Sequence, residues 1–301
     1  MDWIALTVCS AMLLGCYDVA KKMAARTNAV PAVLLASVCV GGLIWLPMLV
    51  WSSLWPDAVP LDILRVRPLD ARHHLLIFAK SLLVAASWTF ALFALKHLPL
   101  SIAAPIRSTS PVWTIAIATA FLGERPTPMQ WVGIAIVLGG FWMFSRVGAL
   151  EGIRFARDRW IGCMVAATML GALSSIYDKI LLQQIGIPPG TLQAWFTIYL
   201  IPAMLPLAIR WYRRERHRDP FTLRPAVLWI SPLLLGADLV YFAALADPQA
   251  LVSVVSTVRR CSVVVPFAFG IRALRETNLR PKAVCVTTIL VGVFLLTWLR
   301  V

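Results

Sequence analysis

Ten runs of apolar residues, each about 20 residues long, fill most of this 301-residue chain. A helix of that length crosses the hydrocarbon core of a bilayer. Hydrophobic residues make up 60% of the sequence, whereas soluble domains contain roughly 45–50%. The sequence therefore predicts an all-α membrane protein with ten transmembrane helices. The predicted spans are 3–22, 30–52, 73–95, 98–121, 128–146, 160–183, 190–211, 226–246, 249–271 and 282–300.

An internal repeat divides these spans into two sets of five. Residues 90–144 align with residues 242–296 without a gap. We predict one five-helix repeat at 1–150 and a second at 151–301. Because five is odd, the second repeat enters the membrane from the opposite side, which gives the inverted-repeat plan of many secondary transporters. Aligned pairs include Phe90 with Phe242, Arg107 with Arg259, Ser110 with Ser262, Glu124 with Glu276, and Gly140 with Gly292.

The net charge of +14 comes mostly from lysine and arginine in short loops between the spans. In that position the charge orients the protein in a lipid bilayer and does not indicate a nucleic-acid partner. The charge bias places both termini outside the cytoplasm and the 213–218 cluster inside. The first span lacks the basic region of a signal peptide, so we expect it to be retained. These features predict a multi-pass protein of the cell inner (plasma) membrane.

The residue types needed for covalent or metal chemistry do not occur with recognisable spacing. The six cysteines show no paired pattern, which argues against a disulfide framework or a zinc site. The four histidines lie at span ends or in loops. We therefore expect no catalytic site, no bound metal and no cofactor, and the sequence leaves the oligomeric state open.

Two tyrosine–aspartate pairs lie inside predicted spans. Tyr17 and Asp18 precede Lys21 and Lys22, so the carboxylate lies three and four residues from two amines on one helix face. This pattern fits a self-neutralised helix end or part of a site. The pair Tyr177–Asp178 is followed by no such base. Its carboxylate needs a partner from another helix or a titratable proton.

Two other polar pairs share a helix face in the third and eighth spans. Asp238 and Tyr241 are three residues apart, which suits a structural salt bridge as well as a site. Lys80 and Trp88 are two turns apart, so an aromatic wall beside a cation is predicted. A tryptophan in an apolar span is more often a packing residue.

Arg107 and Arg259 occupy equivalent positions in the two repeats, inside apolar spans where one arginine costs roughly 2.5–3.5 kcal/mol. Pro105 and Pro111 flank Arg107 and three hydroxyl residues, which predicts a broken or kinked helix at mid-membrane. The alternative is that the prolines and hydroxyls only bend a packed helix. Adjacent helical residues diverge by about 100°, so Arg259 and Arg260 cannot both face one cavity. The repeat favours Arg259.

Residues 121–133, followed by the run to Gly139 and Gly140, resemble the signature at the fourth and fifth spans of the EamA branch of the drug/metabolite transporter superfamily. Residues 95–105 and the second copy at 274–278 are also similar to that family. The resemblance implies a ten-helix transporter of two inverted five-helix repeats, with a central cavity reached alternately from each side. It implies cargo such as amino acids, other metabolites or drugs.

The chain departs from the family pattern at two points. Arg275 replaces the glycine expected before the second glutamate, and the loop charges oppose the cytoplasmic termini usual in the family. Glu124 and Glu276 fall at span ends, where we expect them to cap or close a tight connection and not to contact a substrate.

These features together predict a secondary transporter of a small metabolite by alternating access. The alternatives are a membrane-embedded enzyme or flippase acting on a lipid-linked or phosphorylated substrate, and a channel. Bases inside the spans outnumber acids, and if Asp18 is neutralised by Lys21 or Lys22, at least one cation of the cavity is left without a partner. This favours an anion, or a zwitterion held by its carboxylate, contacted by Arg107 and Arg259. The alternative is a structural gate in which Arg107 and Arg259 pair with Asp178 and Asp238. The predicted substrate-binding residues are Tyr17, Asp18, Lys80, Trp88, Arg107, Ser110, Tyr177, Asp178, Asp238, Tyr241, Arg259 and Ser262.

Overall fold

A computed structural model describes most of the chain. The described residues are 3–26, 28–59, 61–99, 102–103, 106–107, 109–122, 127–150, 157–250, 252–274 and 279–298. Within these ranges the protein is helical and contains no β-strand. The connections that carry Glu124 and Glu276 lie outside the described residues.

The helices overlap the predicted spans, although in the span 98–121 the described helix begins only at Ser110. They are α1 (Trp3–Ala25), α2 (Val30–Leu54), α3 (Ala71–His97), α4 (Ser110–Leu122), α5 (Pro128–Leu150), α6 (Arg159–Lys179), α7 (Pro189–Arg214), α8 (Pro225–Ala246), α9 (Val252–Arg259), α10 (Val264–Leu274) and α11 (Leu279–Trp298). A π-helical segment, Ile180–Gln184, continues α6, and a 3₁₀ segment, Arg260–Val263, joins α9 to α10.

Six of the described helices are long and apolar enough to cross a membrane. The remaining predicted spans, 98–121, 128–146, 249–271 and 282–300, contain the helices α4, α5, α9 with α10, and α11. Their crossing of the bilayer stays a prediction. The six are Trp3–Ala25, Val30–Leu54, Ala71–His97, Arg159–Gln184, Pro189–Arg214 and Pro225–Ala246.

Helix ends are set by local chemistry. Asp70 caps α3, because its Oδ1 accepts a hydrogen bond from the backbone N–H of His73 at 2.9 Å, and this bond holds the pKa of Asp70 below its usual value. Asp158 caps α6 in the same way through the N–H of Trp160 at 2.8 Å. After the π segment, Gly186 has φ of 79°, a conformation that costs little only for glycine. These caps mark the N-terminal ends of α3 and α6, just before the apolar stretch of each helix.

The helix packing is repeated between the two halves of the chain. α1 packs on α8, and its equivalent α6 packs on α3. Likewise α6 contacts α4, and α1 contacts α9, while α2 packs on α7 and α5 packs on α11. Each of these contacts has a counterpart when the halves are exchanged. This is the packing expected of two five-helix repeats, although the boundaries 1–150 and 151–301 stay a prediction.

The fourth and ninth spans are interrupted just after their arginines. Thr109 lies in a turn before α4 begins, and its N–H donates to the carbonyl of Ile106 at 3.1 Å. In the second half, α9 ends at Arg259 and the 3₁₀ segment Arg260–Val263 follows. The break predicted near Arg107 is therefore present, and a matching interruption follows Arg259. It gives each guanidinium a position at a helix discontinuity.

Gly140 and Gly292 form a reciprocal contact between α5 and α11. A Cβ built at Gly140 would lie 2.8 Å from Cγ1 of Ile289, and one built at Gly292 would lie 2.8 Å from the backbone N of Val137. It would also lie 2.9 Å from the carbonyl O of Gly133. Since backbone atoms cannot rotate away, the two helices can approach this closely only with glycine at position 292.

We predict that Gly292→Ala lowers the melting temperature of the purified protein. The added methyl group forces α11 away from α5, an overpacking that typically costs about 1–3 kcal/mol. Gly139→Ala is the matched control, because a Cβ at Gly139 meets no atom within 4 Å. Thermal unfolding in detergent measures both. Equal melting temperatures for the two variants would contradict the close approach of these helices.

Candidate functional site

A central cavity lies between α1, α3, α6, α7, α8 and the interrupted segments that carry the two arginines. The space in it that the centre of a water molecule can reach is about 120 Å³. Nine of the predicted site residues line it: Tyr17, Lys80, Trp88, Arg107, Ser110, Asp178, Asp238, Tyr241 and Arg259.

Lys80 and Asp178 form a buried ion pair between α3 and α6. The Lys80 Nζ lies 2.7 Å from Oδ1 of Asp178, and both side chains are almost fully buried. The hydroxyl of Tyr241 donates to Oδ2 of the same carboxylate at 3.3 Å. The ammonium also lies 4.1 Å from the ring centroid of Phe196. The partner of Asp178 thus comes from another helix, because no base follows Asp178 three or four residues on.

Arg259 is held by an acid and an aromatic ring from α8. Its NH2 group donates to Oδ1 of Asp238 at 2.9 Å, and its guanidinium carbon lies 4.0 Å from the ring centroid of Tyr241. The Nε of Arg259 is buried and has no hydrogen-bond partner among the described residues. Tyr241 therefore connects the Lys80–Asp178 pair to the Asp238–Arg259 pair. The side chain of Arg260 lies outside the described residues.

Arg107 pairs with Asp18, which corrects two expectations. We expected Asp18 to be neutralised by Lys21 or Lys22, but its Oδ1 accepts from NH1 of Arg107. Lys22 instead donates to the carbonyls of Leu95 and Leu98, each at 2.7 Å, where it caps the C-terminal end of α3. The predicted structural gate paired Arg107 and Arg259 with Asp178 and Asp238. Of these pairs, the described residues form only Arg259 with Asp238. Local spacing favoured the lysines, and tertiary packing overrode it.

Among the described residues, Lys21 is the cationic side chain of the cavity that forms no ion pair with a carboxylate. Its side chain is buried, with 3% of the residue surface exposed, and it lines the cavity. The Nζ lies 4.9 Å from the ring centroid of Tyr17 and 6.0 Å from that of Trp88. Among the described residues, no carboxylate forms an ion pair with it, since the nearby Asp18 is bound by Arg107. Lys21 thus faces the cavity between two aromatic rings.

The charges around the cavity do not cancel. The described residues supply four cationic side chains, Lys21, Lys80, Arg107 and Arg259, against the three carboxylates of Asp18, Asp178 and Asp238. The sequence predicted such an excess cation but did not assign it to Lys21. A buried excess charge is costly without a counter-charge. The cavity is therefore electrostatically suited to a solute that carries a negative group.

Three predicted site residues do not line the cavity. Asp18 forms an ion pair with Arg107, which itself lines the cavity, so Asp18 affects the cavity through that pair. The hydroxyl of Tyr177 donates to the carbonyl of Leu76 at 3.2 Å, and Ser262 is buried beside Gly15 of α1. Sequence reasoning missed Phe196, Phe242 and the serines Ser87, Ser174 and Ser175, which do line it. Their small or apolar side chains give no signal distinct from ordinary helix packing.

Comparison with known proteins gives a family match for the first half of the chain. Residues 1–146 match the family model of the EamA-like transporter family. This half of the chain is similar to the EamA-like transporters. The match covers the first predicted repeat and confirms the resemblance derived from the spans and their connecting sequence. It places the Asp18–Arg107 pair, Lys21 and Lys80 in the EamA-like half of the molecule.

Two further likenesses extend beyond the EamA-like half. A "Probable terminal-alkyne amino-acid exporter" of Streptantibioticus cattleyicolor is 25% identical over 175 residues, which are 57% of this chain and 54% of that protein. The similarity thus spans about half the length of this relative. A solved crystal structure covers 98% of this chain and 96% of its own, with a TM-score of 0.63 and 15% identity. At that identity the likeness shows the fold alone.

Proposed function

We propose that this protein is a secondary transporter that moves a small carboxylate-bearing metabolite, an anion or a zwitterion, across the membrane. The observation that carries the proposal is Lys21, a buried ammonium that lines the cavity without an ion-pair partner among the described residues. A bound carboxylate supplies the missing counter-charge. The other cationic side chains of the cavity are already paired with carboxylates, so their role is to stabilise the helices around the solute.

The shape and polarity of the cavity support a solute of modest size. Trp88 and Tyr17 flank the ammonium of Lys21, and Phe196 and Phe242 line the same cavity. Aromatic walls with a few polar groups are typical of small-molecule sites. The name of the similar exporter from Streptantibioticus cattleyicolor refers to an amino acid, which carries a carboxylate. That relative favours a zwitterion over a simple anion.

We propose that transport follows alternating access between two inverted repeats, 1–150 and 151–301, of five membrane helices each. The paired packing of α1 on α8 and α6 on α3 supports this arrangement. The matching interruptions after Arg107 and Arg259 support it as well. In such transporters the two repeats exchange conformations around a site near the bilayer midplane.

The outer surface supports an integral position in the inner (plasma) membrane. Large apolar side chains such as Leu43, Phe121, Trp131 and Trp142 are exposed on the described helices. A soluble monomer rarely exposes so many large apolar side chains. We propose that lipid acyl chains cover these side chains.

The competing hypothesis is a membrane-embedded enzyme or flippase that acts on a lipid-linked or phosphorylated substrate. We test the two by reconstituting the purified protein into vesicles loaded with a defined mixture of amino acids and organic acids. We expect at least one carboxylate solute to appear outside chemically unchanged, as measured by mass spectrometry, and not in protein-free vesicles. Chemical turnover of a solute without its transfer would support the enzyme and contradict transport.

A further inference from the structure

Gln193 on α7 carries a buried side-chain amide. The residue is fully buried, and neither its Nε2 nor its Oε1 has a hydrogen-bond partner among the described residues. An unpaired buried polar group is costly, so such groups are rare in folded proteins. The adjacent residues Leu192 and Ala194 are apolar and buried.

The amide lines a small cavity beside the main one. This second cavity lies between α2, α7 and α8, and it shares Trp88, Phe196, Leu234 and Asp238 with the main cavity. Gly41 lines it on α2, where a Cβ would lie 2.9 Å from Cγ2 of Thr197. The shared residues show that the two cavities are adjacent, and we call the second one, with about 10 Å³ that the centre of a water molecule can reach, the side compartment. Trp88 borders both the ammonium of Lys21 and this compartment.

The compartment is rich in hydrogen-bond acceptors. The hydroxyls of Ser37 and Thr197 donate to the carbonyls of Leu34 and Gln193 at 2.9 and 2.7 Å, and the hydroxyl of Ser231 donates to the carbonyl of Ser37. Their hydrogens are thus used and their oxygen lone pairs remain. Asp238 adds a carboxylate, whose Oδ1 accepts from Arg259. A group that donates several hydrogen bonds and carries positive charge fits this lining.

We infer that Gln193 and Asp238 form a second subsite, which binds a primary ammonium group of the transported solute. The inference rests on the proposed transport function and specifies the solute as a zwitterion. Its carboxylate contacts Lys21 and its ammonium enters the acceptor-rich compartment, and Trp88 borders both positions. The ammonium donates to the Oε1 of Gln193 and to the carboxylate of Asp238.

The test is the charge selectivity of a thiol placed at this position. The native cysteines are replaced, and Gln193→Cys is compared with Ser175→Cys in the main cavity and with Thr7→Cys, which is buried and lines neither cavity. The probes are 2-aminoethyl and 2-sulfonatoethyl methanethiosulfonate, with each rate divided by that for a free thiol. We expect Gln193→Cys to react at least about tenfold faster with the ammonium reagent. Ser175→Cys should react with at least one of the two reagents, and Thr7→Cys should react with neither.

The outcomes separate this inference from the function on which it rests. If Gln193→Cys does not react, or prefers the sulfonate, while Ser175→Cys reacts, the subsite is wrong and the main cavity stands. If Ser175→Cys is also silent, water does not reach the cavity and the proposed function fails with the subsite. A second variant, Gln193→Leu, removes the unpaired amide. It should raise the melting temperature of the solute-free protein, and a lower one would mean that the amide is held by the fold, which overturns the inference.

Discussion

The Lys21→Met variant is expected to lose affinity for carboxylate solutes by at least about 30-fold, while the solute-free protein keeps or gains thermal stability. Removing one partner of a buried charge pair typically costs about 2–5 kcal/mol of binding free energy. Methionine keeps the length and apolar stem of lysine, so the contacts with the rings of Tyr17 and Trp88 remain available. Without a solute, the substitution only removes a buried ammonium that has no ion-pair partner among the described residues.

The measurement is solute-dependent thermal stabilisation with the amino acid that most stabilises the unaltered protein in a panel of standard L-amino acids. Arg26→Gln is the matched control, because Arg26 is an exposed cation that follows α1. We expect the control to bind like the unaltered protein. Equal affinity in Lys21→Met and the control would show that the excess charge of the cavity does not bind the solute.

Breaking the Lys80–Asp178 pair is expected to give the second large effect. Lys80→Met leaves the Asp178 carboxylate buried with only the 3.3 Å hydrogen bond from Tyr241 and the more distant Arg259 charge. Removing one member of a buried ion pair typically costs about 3–5 kcal/mol. For a chain of this size we expect the melting temperature to fall by roughly 5–15 °C. Asp178→Asn should also destabilise, because it leaves the buried ammonium of Lys80 unpaired.

The double variant Lys80→Met with Asp178→Asn should recover most of the lost stability. Both charges are then absent, and asparagine still accepts a hydrogen bond from Tyr241. Arg65→Gln serves as the control, since Arg65 pairs with Asp57 at 3.0 Å in an exposed position where an ion pair contributes about 0–1 kcal/mol. Single variants as stable as Arg65→Gln, or a double variant less stable than both singles, would contradict a buried ion pair at this position.

The helices were largely predictable because apolar length is a strong signal in a membrane protein. The predicted spans 30–52 and 226–246 correspond to helices Val30–Leu54 and Pro225–Ala246. The interruption after Arg107 was predictable from Pro105 and Pro111. The interruption after Arg259 was predictable only through the repeat, because its sequence lacks the same pair of prolines.

The charge pairs of the cavity were only partly predictable. Asp178 could be expected to find a base on another helix, but which base depends on how the helices are rotated about their axes. Asp18 has two lysines at favourable local spacing. Lys22 nevertheless reaches the carbonyls of Leu95 and Leu98, and Arg107 takes the carboxylate. Such competition between local and distant partners is decided by tertiary packing, which spacing along one helix does not encode.

Gln193 could have been noticed as a neutral amide within the apolar span 190–211. The sequence does not show that this amide has no hydrogen-bond partner among the described residues, because this depends on the neighbouring faces of α2 and α8. Polar residues inside spans are therefore the positions to examine first in related chains. Their partners, or lack of them, separate structural pairs from solute contacts.

The most direct test of a carboxylate-binding transporter is solute counterflow in proteoliposomes with matched pairs of solutes. Each L-amino acid is compared with its amide, which has the same side chain and ammonium group but no carboxylate. We predict that vesicles loaded with at least one unlabelled amino acid accumulate the labelled form from outside, that the matching amide gives no accumulation, and that Lys21→Met abolishes the difference. Accumulation of the amides at the same rate as the acids, with Lys21→Met unchanged, would contradict the account.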